Sequence, residues 1–170
     1  MNRSYLAAAM AGLVMLTGII VLYTRSRPAG DANDRMAIEQ YNQKTAVIPE
    51  GSSPPIGPYS PGVRVGDMLF LSGQLGINPA TGNLVEGGTI AQARQAMANL
   101  RTLLNAAGMT FENVVRATVY LADLDDYGAF NEEYGLYFGE VPPARVCIEV
   151  SRIPRDARVE ISMIAVGDLN

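Results

Sequence analysis

Apolar and polar residues alternate along three stretches in the second half of the chain, and this period of two predicts β-strands. The stretches begin at Val114 (VVRATVYL), Arg145 (RVCIEV) and Arg158 (RVEISMIAV). In the middle stretch the alternation gives two faces, with Val146, Ile148 and Val150 on one and Arg145, Cys147 and Glu149 on the other. We expect the first face to lie under helices in the core and the second to carry the chemistry.

Elsewhere the apolar residues recur every three or four positions, which predicts an amphipathic helix from Thr89 to about Ala107. Thr89 and Gln92 have the spacing of a capping box, and Gly108 stands where glycine commonly ends a helix. A second helix is expected after the acidic turn Asp123–Asp126, because aspartate caps helix N-termini. We interpret its aromatic stripe as core in preference to a ligand-binding surface: Tyr127, Phe130, Tyr134 and Tyr137.

Two further apolar stretches flank Gly66 and Asp67 and predict a hairpin. The resulting order β-β-α-β-α-β-β predicts an α+β domain, a mixed β-sheet with two helices packed on one face. The other face is expected to be bare of helices yet rich in apolar and aromatic residues: Thr118, Tyr120, Cys147, Glu160, Ser162, Ile164 and Val166. Such a face needs a cover, and an identical subunit is the simplest candidate.

The N-terminal part of the chain contains an uncharged apolar run, Leu6–Tyr23. Its eighteen residues would span about 27 Å as a helix, close to the ~30 Å of a hydrocarbon core. We interpret it as a transmembrane anchor or signal segment in preference to a buried helix, and favour an uncleaved anchor because no small-x-small cleavage site follows. The predicted organisation is an anchor or signal segment at 1–27, a linker at 28–43 and one domain at 44–170. The domain is expected to be membrane-anchored and periplasmic, or exported if the segment is cleaved.

The charge of the chain and its missing residue types narrow its chemistry. A formal net charge of −4 without any basic stripe argues against a nucleic-acid partner. A single cysteine excludes an intramolecular disulfide, and the absence of histidine excludes Ser-His, Cys-His and His-metal sites. Catalysis would therefore depend on Arg, Asp, Glu, Tyr, Ser, Cys or backbone groups.

From about Lys44 to Val166 the chain resembles the RidA (YjgF) family of reactive-intermediate deaminases. The matching segments are IGPYS (56–60), LSGQLGINPATG (71–82), NLRTLLNAAG (99–108), VVRATVYLADLDDYGAFNEEYGLYFGE (114–140) and PPARVCIEVSRIP with VEISMIAV. The resemblance implies a chorismate-mutase-like fold in a homotrimeric barrel, with three active sites between subunits. It also implies hydrolytic deamination of enamine and imine intermediates, such as 2-aminoacrylate and 2-iminobutanoate, to 2-keto acids and ammonia, with no metal and no cofactor.

The same resemblance implies roles for particular positions. Arg145 would bind the substrate carboxylate, and Glu160 would position the hydrolytic water. Tyr59 would lie over the ligand, and the rest would line the pocket: Ser72, Gly73, Asn131 and Cys147.

The chemistry of these residue types agrees with such roles, although other interpretations remain open. A guanidinium binds a planar carboxylate bidentately, but by charge alone an ion pair of Arg145 with Glu149 or Glu160 is an equal alternative. Glu160 is unusual in an apolar strand, because a buried, unpaired carboxylate is costly. Cys147 is expected to be a pocket wall and not a nucleophile, since no base is available to activate it. Ser72 has a simpler interpretation as a turn residue.

Three functions are therefore weighed. The first is an imine deaminase acting on a small-molecule imino acid. The second is a non-catalytic member of the same family, either a ligand-binding protein or a holdase chaperone, which would need the arginine but not the glutamate. The third is an endoribonuclease, which the negative charge disfavours.

Overall fold

Strands and two α-helices form the fold in a computed structural model that describes residues 43–50, 55 and 57–167. The strands are β1 (Thr45–Val47), β2 (Gly62–Val65), β3 (Met68–Leu75), β4 (Val114–Leu121), β5 (Ala144–Glu149) and β6 (Val159–Val166). The α-helices are α1 (Gly88–Ala106) and α2 (Tyr127–Gly135), and 3₁₀ turns lie at Phe111–Asn113, Leu124–Asp126 and Pro154–Asp156. The order agrees with the prediction except for the short strand β1, which was not predicted.

The strands of the described region form one sheet in the order β1-β2-β3-β6-β4-β5. Neighbouring strands are antiparallel except β4 and β5, which are parallel because the chain returns between them through α2. The predicted α+β fold, a mixed sheet with two helices, is confirmed. The homotrimeric barrel is a property of an assembly, and it stays a prediction.

The core lies between one face of the sheet and the two helices. Every second residue of β6 is buried there: Val159, Ile161, Met163 and Ala165. Helix α1 packs on β3 and β6, while Phe130 and Tyr134 bring α2 into the same buried cluster. Each large apolar side chain buried in this way contributes about 1.5–3 kcal/mol. The central strands therefore form a firm support for the side chains on their other face.

The start of α1 differs from the prediction. Thr89 is no cap: its hydroxyl donates a hydrogen bond to the Asp126 carboxylate. Gln92 accepts a hydrogen bond from the backbone N–H of Arg158 at 2.7 Å. Thr89 and Gln92, whose spacing predicted a capping box, thus make contacts with distant parts of the chain instead. The predicted end is confirmed, since Gly108 follows α1 with a φ of 72°.

The side chains of strand β5 lie on the sheet faces opposite to those predicted. Its register with β4 places Arg145 beside Ala117 and Cys147 beside Val119. Ala117 and Val119 are fully buried beneath the helices. Arg145 and Cys147 therefore lie on the helix-covered face. The prediction was wrong because alternation separates two faces without identifying which one meets the helices.

Compared with the prediction, the bare face therefore lacks Cys147 and includes Val146 and Ile148, which are 43% and 45% exposed. Its other apolar members include Phe70 and Met68 on β3, each 41% exposed. Glu160 lies on this face, because it pairs with Tyr120 of β4 and alternates with the buried residues of β6. The sheet thus exposes a broad apolar surface that also contains a carboxylate.

The predicted anchor or signal segment and most of the predicted linker lie outside the described residues. Within residues 43–50, 55 and 57–167, no helix combines the length and the apolar character needed to cross a membrane. The boundaries 1–27, 28–43 and 44–170 stay predictions.

Candidate functional site

The predicted site residues fall into two groups. Four of them, Tyr59, Ser72, Gly73 and Glu160, line an open cleft of about 710 Å³. The other three lie together where α2 packs near strand β5: Asn131, Arg145 and Cys147.

The cleft lies along the second half of β3. Strand β2 pairs with β3 only as far as Leu71, and a register irregularity follows between Leu71 and Gln74. At that point Ser72 connects the strand to the preceding loop: its N–H donates to the Pro61 carbonyl at 2.9 Å, and its hydroxyl donates to the Ser60 carbonyl at 2.8 Å. Ser72 therefore fixes the loop that carries Tyr59, so its role is more than that of a turn residue.

Gly73 and Glu160 are in direct contact across β3 and β6. A Cβ atom added to Gly73 would lie 1.8 Å from Glu160 Oε1 and 2.7 Å from its Cδ. The carboxylate thus occupies the space that any side chain at position 73 would need. A glycine is required here by this close approach and not by its φ angle.

The Glu160 carboxylate has no hydrogen-bond or ion-pair partner among the described residues. Burial raises the pKa of this carboxyl above its usual 4.5, because the charged form loses hydration. A carboxylate that is partly buried, unpaired and open to a cleft has the properties of a general base.

Arg145 is held by two kinds of contact on α2. Its Nη2 donates to Asn131 Oδ1 at 2.6 Å and to the Tyr127 hydroxyl at 3.4 Å. Its guanidinium also stacks on aromatic rings, with Cζ 4.7 Å from the centroid of Tyr134 and 5.7 Å from those of Phe130 and Tyr127. Nε and Nη1 make no hydrogen bond within the described part of the chain. The alternative interpretation of Arg145, an ion pair with Glu149 or Glu160, does not occur there.

The helix that holds Arg145 is itself fixed to α1. Buried Glu133 accepts two hydrogen bonds from Arg94, at 3.1 and 2.6 Å, and a third from the Tyr137 hydroxyl at 3.1 Å. The Arg94 hydrogen bonds lower the pKa of Glu133, against the opposing effect of burial. This paired charge keeps α2, and with it Asn131, in a fixed position.

Cys147 follows Arg145 on the same face and packs against the core. Burial raises the pKa of its thiol, and the nearby Arg145 charge opposes this only in part. The thiol is therefore mostly protonated near neutral pH, which agrees with a wall and not with a nucleophile.

The two groups lie on opposite faces of the sheet. Arg145 belongs to the helix-covered face at the edge strand β5, whereas Glu160 belongs to the bare face of β6. Arg145 is not among the residues that line the cleft beside Glu160. Among the described residues, no cluster of three or more His, Cys, Asp or Glu is placed to hold a metal.

Comparison with known proteins identifies the family to which the chain belongs. The family model described as Endoribonuclease L-PSP matches residues 50–167. The 2-iminobutanoate/2-iminopropanoate deaminase of Mus musculus is 50% identical over 111 residues, which are 65% of this chain and 82% of the mouse protein. The chain belongs to the family that this model describes. A RutC family protein of Pyrococcus horikoshii is 45% identical over 122 residues, 72% of this chain and 97% of the relative.

Solved structures of the family agree with the fold. RidA from an Antarctic Psychrobacter has a TM-score of 0.69 and 35% identity, covering 72% of this chain and 98% of its own. TdcF of E. coli, solved with bound serine, has a TM-score of 0.69 and 35% identity, covering 73% and 99%. The resemblance to the RidA family is therefore confirmed.

These comparisons also contradict the predicted membrane anchoring and periplasmic or exported location. The matched domain accounts for 98% of the Psychrobacter RidA chain and 82% of the mouse deaminase, so it makes up most of each of these relatives. The localisation prediction is therefore wrong. It was based on Leu6–Tyr23, a run that the domain match does not include.

Sequence reasoning missed three contributors to the site. Tyr127 and Tyr134 were interpreted as core, yet both contact the Arg145 guanidinium. Tyr127 is 42% exposed, and its spacing of four from Asn131 was the available signal, because residues i and i+4 share a helix face. Arg155 also lines the cleft and had no predicted role.

Proposed function

We propose that this protein hydrolyses 2-imino acids and their enamine tautomers, of the 2-aminoacrylate and 2-iminobutanoate type, to 2-keto acids and ammonia. The observation that carries the proposal is the Arg145 guanidinium, held on one side by Asn131 and left with two unbonded donor nitrogens. Such a fork fits a planar carboxylate. The deaminase names of the mouse, goat and cattle relatives, at 49–50% identity, support the same reaction.

The active site of this proposal is shared between subunits. One subunit supplies Arg145, Asn131 and Cys147, and its neighbour supplies the cleft with Glu160. Two features support this: the two groups lie on opposite faces of one chain, and the bare apolar face needs a cover. We take the assembly to be the homotrimer expected from the family resemblance.

The proposed reaction is an addition followed by an elimination. Arg145 holds the carboxylate and thereby orients the imine carbon, and positioning of this kind can supply several of the roughly 7–11 kcal/mol available from effective molarity. Glu160 accepts a proton as a water oxygen attacks the imine carbon, which gives a tetrahedral carbinolamine. This proton passes to the imine nitrogen; the hydroxyl proton of the carbinolamine then follows it by way of Glu160 as the C–N bond breaks, and the keto acid and ammonia leave. The raised pKa of Glu160 suits both proton transfers.

A coupled assay tests the proposal. An amino-acid oxidase generates the imine from 2-aminobutyrate, and keto-acid release is followed with and without the protein. We expect acceleration by the wild type and a loss of about 100-fold in kcat/KM for Arg145→Ala, since a charged bidentate contact contributes roughly 1.5–3 kcal/mol. Arg101→Ala is the matched control, because Arg101 also stacks on aromatic rings, at 5.6 Å from Phe111 and Tyr137, but lies outside the cleft.

The same assay decides between the proposal and its alternatives. Full activity in Arg145→Ala, or no acceleration of keto-acid release by the wild type, would refute the proposed deaminase function. Binding of a 2-keto acid without turnover would then favour a ligand-binding member of the family. The family description names an endoribonuclease, so cleavage of a labelled RNA is a third measurement; the net charge of −4 leads us to expect none.

A further inference from the structure

The segment between β5 and β6 has an unusual backbone. Arg155 and Asp156 are consecutive non-glycine residues with positive φ, 63° and 57°. The left-handed region brings Cβ too close to the carbonyl oxygen, so each residue costs conformational energy that its surroundings must offset. No other non-glycine residue in the described part of the chain has a positive φ.

Side-chain contacts hold this strained turn in place. Asp156 accepts two hydrogen bonds from Arg152, at 2.7 and 3.2 Å. Arg155 Nη1 donates to the Gly82 carbonyl at 2.8 Å and so connects the turn to the loop that precedes α1. These contacts therefore fix the turn, and Arg155 is one of the residues that line the cleft.

Arg155 differs from the other arginines of this segment in its partners. Arg152 pairs with Asp156, and Arg158 lies 3.4 Å from Asp126. Arg155 has no carboxylate partner among the described residues and contacts only a neutral carbonyl. A cation that is held in place but left without a counter-charge, in a cleft, is a candidate anion site.

The size of the cleft agrees with a second recognition point. Its volume of about 710 Å³ is within the roughly 300–1,000 Å³ usual for ligands larger than a four-carbon acid. Arg155 and Glu160 line this one cleft. A substrate that reacts beside Glu160 thus has room for a side chain that extends toward Arg155.

We propose that Arg155 is a specificity-determining residue that binds a second carboxylate, so that the cleft accepts dicarboxylic 2-imino acids of the iminosuccinate and iminoglutarate class. This inference rests on the proposed imine hydrolysis. In it, Arg145 of one subunit binds the α-carboxylate and Arg155 of the other binds the side-chain carboxylate. The strained turn is retained because it fixes the second cation.

The test compares two imines that differ only in charge. d-Aspartate oxidase converts d-glutamate to 2-iminoglutarate, and d-amino-acid oxidase converts d-glutamine to the neutral amide analogue. We expect the wild type to prefer the dicarboxylic imine in kcat/KM by about tenfold, the effect of one charge-assisted contact at an exposed site. Arg155→Gly should abolish the preference and Arg155→Lys should keep part of it, while Arg101→Ala should leave the ratio unchanged.

The glycine variant also guards against a folding artefact. Glycine adopts positive φ freely, and this relief offsets the loss of the exposed Arg155–Gly82 hydrogen bond, so Arg155→Gly should melt within a few degrees of the wild type. A wild type without preference, or an Arg155→Gly variant that slows both imines equally, would overturn the proposal.

Equilibrium binding separates this proposal from the proposed hydrolysis. Calorimetric titration should show that 2-oxoglutarate binds about tenfold more weakly to Arg155→Gly, with 2-oxobutanoate unaffected. If no imine is hydrolysed but 2-oxoglutarate still binds more weakly to Arg155→Gly, the carboxylate site is supported and the proposed hydrolysis is refuted. If the two keto acids respond alike, the carboxylate site falls.

Discussion

Replacement of Gly73 by alanine should disable the site while leaving the fold nearly intact. The added Cβ would lie 1.8 Å from Glu160 Oε1, whereas real Cβ contacts essentially never fall below 3.0 Å. The oxygen must therefore retreat by at least the difference, about 1.2 Å. Displacement of a reacting group by about 1 Å costs roughly 100-fold in rate, so we expect kcat to fall by about that factor.

The cost in stability should be small because the displaced atoms are the end of a flexible side chain. Overpacking costs about 1–3 kcal/mol in a rigid core, and an off-rotamer carboxylate about 0.5–1.5 kcal/mol. We therefore expect Tm to fall by only a few degrees. Gly76→Ala is the contrasting variant, since its Cβ would lie 2.5 Å from the Gln92 Cα and 2.7 Å from its carbonyl oxygen, which are backbone atoms of α1.

The measurement is kcat for the 2-aminobutyrate-derived imine together with thermal melting of all variants. Gly73→Ala should lose activity with a fall in Tm of only a few degrees, Gly76→Ala should lose more stability, and Gly135→Ala, which meets nothing within 4 Å, should change neither activity nor stability. Wild-type kcat in Gly73→Ala would refute the placement of the reaction beside Glu160. A large fall in its Tm would refute the view that only the carboxylate moves.

Two more predictions concern the bare face. Glu160→Gln should abolish turnover, and the wild-type rate should decline with falling pH through a pKa above 4.5, because only the ionised carboxylate acts as a base. Because the folded-state pKa is raised, ionisation of Glu160 opposes folding. Glu160→Gln should therefore raise Tm relative to the wild type at neutral pH but not at acidic pH. The same Tm difference between variant and wild type at both pH values would contradict the burial of Glu160. Ile148→Asp should dissociate the oligomer and abolish activity together, by light scattering and the coupled assay; an active monomer would rule out a shared site.

The sequence pattern was sufficient for most of the elements. Strand β4 was predicted with the bounds Val114–Leu121 that it has, and the hairpin at Gly66 and Asp67 is present. Both predictions succeed because the covered face determines the local spacing of apolar residues. Buried apolar residues recur at every second position in a strand and at every third or fourth position in a helix. Strand β1 was missed because three residues with mostly exposed side chains leave no such period.

The orientation of β5 was not available from local pattern. Both of its faces carry apolar residues, because Val146 and Ile148 line the bare face while Cys147 packs on the core. Arg145 is tolerated under α2 because aromatic rings accept a guanidinium over their faces. Deciding between the two orientations required knowing that Tyr127 and Tyr134 lie above the strand. That is a tertiary contact, and no spacing within β5 encodes it.

The partners of the charged residues separate structural from functional roles in this domain. Glu133 is more deeply buried than Glu160, yet it accepts three hydrogen bonds and serves to fix α2. Glu160 and Arg155 have no partner of opposite charge among the described residues, and both line the cleft. Arg145 has a neutral amide as its nearest partner. Natural sequences keep such unfavourable arrangements where a ligand completes them. In the reaction proposed above, a water molecule and the imine carbon would complete the surroundings of Glu160, and carboxylates those of the two arginines.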